Sequence, residues 1–346
     1  MQFRRIATPV IALAACVSML IVGLRSSAQD AKLPIVRVMT YNIEWFSEDA
    51  NPERVSNLKA VLEAVKPDIV GMQEIQSRKA LEQVYDAKEW QLGLDDDPKE
   101  AQELAIAVRR PLVLVGSEMV FRGPALDRAY PNGRDALRAV IQTPTGGQIV
   151  VYVLHMKSRS GGRRTTDVQR EMACSLLSAY IAHRPEEPYV IALGDMNDAP
   201  NDRSVNILET GDVLAKAGAS KPRVLFNLTE GLADRDQVTY GLDDLYQDGE
   251  TLSPVVKGAK AENDRLRGQD YRYPADVRIV QTFMDQIFAS PRMARAWTGT
   301  VQVFTGAPAM RGSKGRTQMA DGVPNYTQKG SLASDHAPVY ADFRSP

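Results

Sequence analysis

The sequence contains little cysteine and little histidine, with two cysteines and three histidines in 346 residues. Cys16 lies in an apolar N-terminal stretch, so a mature chain without that stretch keeps Cys174 alone. A single cysteine excludes an intrachain disulfide, and the fold must be held together by its core. The composition, 44% hydrophobic and 25% charged, also excludes disordered and collagen-like proteins.

Acidic residues are absent from residues 1–28, which contain three arginines and an apolar stretch and end in small residues. This pattern predicts a secretory signal peptide and therefore an exported protein, periplasmic or secreted. Two alternatives stay open. The apolar stretch approaches the length of a membrane span, which would make it an uncleaved anchor. The sequence LAAC ending at Cys16 would instead permit lipidation. We expect membrane attachment only in these two cases.

The chain also has no net positive charge. Without residues 1–28, 39 Lys and Arg stand against 43 Asp and Glu, so the formal charge is about −4. The overall charge therefore does not attract nucleic acid, and any such attraction must be local.

Several stretches share one design, an apolar strand that ends in polar residues. In chain order they read TYNIEW, IVGMQEI, VYVLHMK, VIALGDMNDAP and TFMDQIF, and the chain closes with SDHAPVYADF. Asn51 and Pro52 predict the start of a helix that Pro67 ends. Thr166 and Gln169 form a capping box that predicts the start of another.

Hairpins and loops are predicted between these strands and helices. Leu104–Val108 and Leu112–Val115 form a predicted hairpin. Weak periodicity between residues 201 and 278 indicates long loops and small strands of the same domain, because no linker of distinct composition divides the chain. We therefore expect one domain over residues 35–344, with two packed sheets flanked by helices.

In this order the motifs resemble the endonuclease/exonuclease/phosphatase family, which includes deoxyribonuclease I, abasic-site endonucleases, inositol polyphosphate phosphatases and bacterial sphingomyelinases. The likeness extends from Val36 to Phe343. It implies an α+β, deoxyribonuclease I-like fold, a four-layer α/β/β/α sandwich with the active site at strand ends between the sheets. It also implies a metal-dependent hydrolase of phosphate esters, here an exported, bacterial-type member.

The resemblance further implies a metal site and a catalytic pair at the strand ends. Asn42, Glu74 and Asp335 are the expected metal ligands. Mg²⁺ is the expected cofactor, with Mn²⁺ or Ca²⁺ as alternatives, because magnesium is held by few protein carboxylates. His336 is expected to contact the scissile phosphate, oriented by Asp285 through the other ring nitrogen.

The remaining expected site residues follow the same resemblance. Asp195 is expected either to activate the water for in-line attack or to lie next to the metal, Asn197 to donate to a phosphate oxygen, and His155 to complete the catalytic set. Cations that bind the substrate phosphate are expected at four positions: Arg134, Lys157, Arg163 and Arg164.

A nuclease acting on DNA or RNA is the activity that these features favour. Polar loops contain many Lys and Arg with Tyr271, Tyr273 and Tyr326 among them, which suits phosphates and stacked bases. No apolar loop for reaching a bilayer is evident. A phosphomonoesterase or a sphingomyelinase-like lipid phosphodiesterase on the same site is the alternative. A catalytically silent binding domain fits less well, and we expect a monomer without a stable protein partner.

Overall fold

Two six-stranded sheets form the centre of the fold in the computed structural model. The structure describes residues 33–97, 100, 102–131, 135–160, 162–214, 222–241, 255–257, 259, 282–306, 318–320, 323–325 and 331–346. The predicted leader and the three tyrosines of the predicted basic loops lie outside the described residues.

The first sheet is built around the motif strands TYNIEW and IVGMQEI. Its strands are β1 (Ile35–Phe46), β2 (Ile69–Ile75), β3 (Trp90–Leu94), β4 (Glu103–Arg109), β11 (Trp297–Val303) and β14 (Val339–Arg344). Their order is β11-β14-β1-β2-β4-β3, and only β1 and β2 run parallel.

The second sheet is built around the other two long motif strands. It contains β5 (Val113–Val120), β6 (Ala136–Gln142), β7 (Gln148–His155), β8 (Val190–Asp195), β9 (Phe226–Asn227) and β10 (Asp285–Ala289). Their order is β5-β6-β7-β8-β10-β9, with one parallel pair, β7 and β8. A separate two-stranded pair joins β12 (Gln318–Ala320) to β13 (Val323–Asn325).

Helices connect the parallel strands and cover the outer faces of the sheets. The described helices are α1 (Pro52–Val65), α2 (Arg78–Glu82), α3 (Arg163–Ala182), α4 (Arg203–Thr210), α5 (Glu230–Ala233) and α6 (Pro291–Ala296). As predicted, α1 begins at an Asn51 cap, whose side chain accepts from the backbone N–H of Glu53. Among the described residues, no helix has both the length and the apolar character to cross a membrane.

Three hydrophobic clusters show how the layers pack. One fills the space between the sheets, one joins the first sheet to α1 and α2, and one joins the second sheet to α3 and α4. At Gly71 the sheets approach so closely that an added Cβ would lie 2.2 Å from a side-chain carbon of Leu193. The architecture is the expected four-layer α/β/β/α sandwich of the deoxyribonuclease I-like fold, and the fold prediction is confirmed.

The predicted hairpin between Leu104–Val108 and Leu112–Val115 is wrong. β4 pairs with β2 on one side and β3 on the other, so it has no open edge for the next strand. The chain instead crosses to the second sheet, where β5 pairs with β6. β3, which the sequence analysis missed, takes the place that the hairpin assigned to β5.

Two helix predictions also need correction. α3 begins at Arg163, so Thr166 lies in its first turn, where its hydroxyl donates to the carbonyl of Gly162 instead of forming a capping box. α4 occupies the start of the region read as loops and small strands. It follows Asp202 and ends at Gly211, whose φ of 70° suits glycine.

Candidate active site

The candidate site lies where the two parallel strand pairs end. Asn42 and Glu74 stand at the carboxyl ends of β1 and β2, in the first sheet. His155 and Asp195 are register partners at the ends of β7 and β8, in the second sheet, and Asp285 is paired with Asp195 from β10. Each sheet therefore contributes one half of the site.

Asn42 links these two halves. Its Nδ2 donates to Glu74 Oε1 at 3.3 Å and to Asp195 Oδ2 at 3.2 Å. His155 Nε2 lies 3.7 Å from the same Glu74 oxygen and 3.6 Å from the same Asp195 oxygen. The amide of Asn42 and the imidazole of His155 thus lie between the partly buried Glu74 and the buried Asp195, whose negative charges would otherwise repel each other.

A bulge gives β1 and β2 their shape beside the site. Glu44 and Trp45 have φ values of 42° and 52°, and Glu74 on the neighbouring strand has a φ of 65°. A left-handed backbone conformation of this kind destabilises a non-glycine residue by ~1–2 kcal/mol. The buried Arg54 holds the bulge by donating to the carbonyls of Ile43 and Glu44 at 2.5 and 2.7 Å. The strain is concentrated at a functional edge, as is typical of active sites.

The turn after β8 fixes Asp195. Gly194 has φ 149°, and an added Cβ would lie 1.9 Å from the carbonyl oxygen of Leu154, so only glycine fits. The backbone N–H of Asn197 donates to Asp195 Oδ1 at 2.8 Å. Its side-chain Nδ2 donates to Asp195 Oδ2 at 3.0 Å and to the carbonyl of Met156 at 3.1 Å. Both amide hydrogens of Asn197 are therefore used within the protein, and in this geometry the residue orients Asp195.

Burial raises the pKa of Asp195 to about 6. The charges of Asp285 and Glu74 act in the same direction, while His336 and the N–H of Asn197 lower the pKa. A carboxylate with this pKa is ionised at neutral pH and still basic enough to accept a proton from water.

His336 and Asp285 form a buried pair. His336 Nδ1 lies 2.8 Å from Asp285 Oδ2, and both residues are almost inaccessible to solvent. Burial alone would lower the pKa of His336, but the carboxylates of Asp285, Asp335 and Asp195 raise it well above the ordinary value. The ring is therefore positively charged at neutral pH, and its Nε2 is available to donate to a substrate.

Acidic groups dominate the cavity in front of these residues. It has a volume of about 460 Å³, and Glu44, Glu74, Asp195 and Asp335 are among the residues that line it. The described lining includes no Lys or Arg, so an anionic phosphate would meet mostly negative charge. This hard-oxygen donor set fits a divalent cation that keeps several waters. Among the described residues, no three His, Cys, Asp or Glu side chains lie close enough together to hold a metal ion without rearrangement.

Comparison with known proteins identifies the family. A model of the endonuclease/exonuclease/phosphatase family matches residues 39–336. The chain belongs to this family. It is therefore a metal-dependent hydrolase of phosphate esters.

Solved structures share the fold at low sequence identity. TDP2 of D. rerio, complexed with single strand DNA product, is 16% identical with a TM-score of 0.53, covering 90% of this chain and 99% of that one. A family member from Bacteroides vulgatus is 15% identical with a TM-score of 0.52, covering 90% and 100%. The human Nocturnin catalytic domain with bound sulfate anion is 16% identical with a TM-score of 0.50, covering 90% and 93%. No curated protein sequence matched the chain.

The structure brings most of the predicted site residues of this family member together. The cavity is lined by Glu74, His155, Asp195, Asn197, Asp335 and His336. Asn42 and Asp285 stand behind them, each bonded to one of the lining residues. Asp335 is placed by its backbone N–H, which donates to Glu44 Oε2 at 3.2 Å. Eight of the predicted positions therefore surround one centre.

Two of the predicted phosphate-binding cations, Arg163 and Lys157, do not line the cavity. Arg163 is 5% exposed and contacts three aspartates at distances of 2.9 to 3.8 Å, so its charge is already compensated inside the protein. Its prediction as a phosphate ligand is not supported by its position. Lys157 donates to Ser158 Oγ at 3.3 Å and does not line the cavity. Arg134 and the side chain of Arg164 lie outside what the structure describes.

Arg163 belongs to a buried ion network behind the site. The network consists of three arginines and three aspartates: Arg159, Arg163, Arg170, Asp167, Asp198 and Asp202. Arg159 Nε also donates to the carbonyl of Asn197 at 2.9 Å. Arg170 Nη1 donates to the carbonyl of Lys157 at 2.6 Å. The network therefore fixes the two turns that follow His155 and Asp195.

This network and seven residues of the cavity wall were not predicted from the sequence. The sequence does contain a signal for the network. Arg163, Asp167 and Arg170 are spaced i, i+4 and i+7, which places them on one face of a helix. Glu44, Trp45 and Tyr240 line the cavity as well. Nothing in the local pattern around Tyr240 indicates this position, because a long-range bridge to His336 creates it.

Proposed function

We propose that this family member is an exported, magnesium-dependent phosphodiesterase that hydrolyses DNA or RNA by in-line attack of an activated water. One observation carries the proposal. The buried pair of His336 and Asp285 faces the same acidic cavity as Glu74 and Asp195, so a charged donor, a base and oxygen ligands share one space.

Glu74 and Asp335 are the residues that would hold the cation, with Asn42 positioning Glu74 from behind, and the cation would supply charge neutralisation at the phosphate. Asp195 accepts the proton of the attacking water, since its pKa of about 6 keeps it ionised and basic. His336 donates from Nε2 to a phosphate oxygen where negative charge develops. His155 and Asn197 keep Asp195 in place.

One further observation supports nucleic acid as the substrate. A protein with the same fold is known in a complex with single strand DNA product. The export proposal rests on the basic, apolar and small-residue order of residues 1–28.

The test uses purified residues 29–346 with Mg²⁺ on four substrates: supercoiled plasmid, an RNA oligonucleotide, p-nitrophenyl phosphate and sphingomyelin vesicles. We expect cleavage of plasmid or RNA that stops on chelation and in the His336→Ala variant. Hydrolysis of the monoester alone would establish a phosphomonoesterase. Hydrolysis of sphingomyelin alone would establish a lipid phosphodiesterase, and activity that survives chelation would contradict the role of the metal.

A further inference from the structure

The three tryptophans of the chain have different surroundings. Trp90 is buried in the cluster beneath α1 and packs edge-on against Tyr85. Trp297 packs against the cluster between the sheets, and its indole N–H donates to the carbonyl of Thr300 at 2.8 Å. Trp45 is half-buried, belongs to none of the three hydrophobic clusters, and lines the catalytic cavity. Its indole makes no hydrogen bond or ring contact with the described residues.

The backbone holds Trp45 at this position against a conformational cost. Trp45 and Glu44 form the bulge in which both residues have left-handed φ values. Arg54 fixes that bulge to the loop of His336, because its Nε also donates to the carbonyl of Ala333 at 3.2 Å. A large aromatic ring is thus kept at the cavity wall by a strained and buried support, although no core packing requires it there.

Besides its acidic groups, the cavity wall contains neutral polar side chains. Gln102, Ser158 and Ser160 line the cavity together with Trp45. Amide and hydroxyl groups suit the edges of a nucleobase, and an indole suits its face. Stacking on aromatic rings tolerates any base, because every base has a π-face.

We propose that Trp45 is a stacking platform for the nucleobase next to the scissile phosphate, and that it determines the preference of this site for nucleotide substrates. The inference deepens the proposed nuclease function and rests on it. A quaternary ammonium headgroup is a less suitable occupant, since Tyr240, the other aromatic residue of the wall, packs against the ring of His336 at a centroid distance of 4.9 Å. The aromatic ring that a quaternary ammonium group would need is therefore already in contact with another side chain.

A binding experiment tests the platform without catalysis. Calorimetry in Mg²⁺ buffer compares dAMP, deoxyribose 5-phosphate and phosphocholine on the wild type, Trp45→Ala and Trp45→Phe. We expect Trp45→Ala to weaken dAMP binding about 10- to 100-fold and to change deoxyribose 5-phosphate binding less than about twofold. Trp45→Phe should keep most of the affinity for dAMP. Trp297→Phe is the matched control and should change nothing, because that indole lies outside the cavity.

A turnover experiment adds the reaction. An oligonucleotide is compared with one that carries abasic residues on both sides of the cleaved bond. We expect Trp45→Ala to raise KM for the first substrate about 10- to 100-fold, with a smaller change in kcat, and to leave the abasic substrate unaffected. Equal losses on both substrates would show a structural role and overturn the inference. Weakened binding of phosphocholine without any change for dAMP would overturn it in favour of a lipid headgroup.

The two proposals can fail separately. If the wild type cleaves no oligonucleotide yet binds dAMP through Trp45, the nuclease function is wrong and Trp45 is a base-binding residue for a nucleotide that is not cleaved as a polymer. If it cleaves oligonucleotides while Trp45→Ala binds dAMP as the wild type does, the nuclease function stands and the platform is wrong.

Discussion

The substitution Asp198→Asn removes one charge from the buried ion network and nearly preserves the shape of the side chain. Asp198 is 1% exposed, and its oxygens lie 2.7 Å from Arg170 Nε and 3.3 Å from Arg159 Nε. The hydroxyl of Ser204 donates to it at 2.6 Å. In the variant, three buried guanidinium groups would share only two carboxylates.

The expected loss of folding stability is the free energy of leaving a buried charge without a partner. Breaking such a pair destabilises a protein by about 3–5 kcal/mol. For a domain of about 310 residues, with an unfolding entropy of about 2.1 cal/mol/K per residue, this lowers Tm by ~5–8 °C. The control is Glu89→Gln, which breaks the exposed 3.4 Å pair with Arg109. That pair should contribute less than about 1 kcal/mol.

The pH dependence provides a second measurement of the same interaction. Burial raises the pKa of Asp198, but Arg170, Arg159 and Arg163 outweigh it and lower the pKa to about 2. A lowered pKa stabilises the folded state above the unfolded value of 3.8, and this stability is lost as the pH falls towards 2. The difference between wild type and variant should therefore shrink over that range.

Calorimetry and urea unfolding of both variants measure these effects. A loss below about 1 kcal/mol for Asp198→Asn at pH 7, or a gain in stability, would refute the view that the network is held by its charges.

Three other outcomes can be measured on the same protein. Asp285→Asn should lower kcat. In the double variant with His336→Ala, the loss of transition-state stabilisation should be much smaller than the sum of the losses in the single variants. Additive losses, measured by steady-state kinetics, would show that the two residues act independently. Burial raises the pKa of Glu103 to about 7, so its ionisation destabilises the folded state as the pH rises. Glu103→Gln should therefore stabilise the fold by about 2–3 kcal/mol at pH 9 but not at pH 4. Thermal unfolding that shows no difference between the two pH values would contradict this. Mass spectrometry should find a mature chain that begins near Gln29, whereas an intact Met1 or an acylated Cys16 would indicate an anchor or a lipoprotein.

Local patterns in the sequence predicted the parts of the site that depend on strand ends. Glu74, His155 and Asp195 each follow an apolar run, and His155 and Asp195 end neighbouring parallel strands of the second sheet. Family resemblance was needed to pair His336 with Asp285, since 50 residues of mixed character separate them. The apolar run before each residue and the family motif around it can both be read from a short stretch of sequence.

Features that depend on how the two sheets meet were less predictable. Short apolar runs on either side of a Pro and two Arg are typical of a hairpin, and nothing local shows that both edges of β4 are already paired. Arg163 looks like a surface cation because its three carboxylate partners come from α3 and from the turn after β8. The position of Trp45 depends on a bulge that only the register of β1 against β2 defines.

The bridging amide of Asn42 has a consequence for the biosynthesis of the protein. The amide reaches Glu74 in its own sheet and Asp195 in the other, and neither sheet carries a complete set of catalytic groups. A chain in which only one strand-helix-strand unit has folded therefore has no hydrolytic centre. The catalytic groups come together only when the two sheets pack against each other at Gly71 and Leu193, so activity requires both halves of the fold.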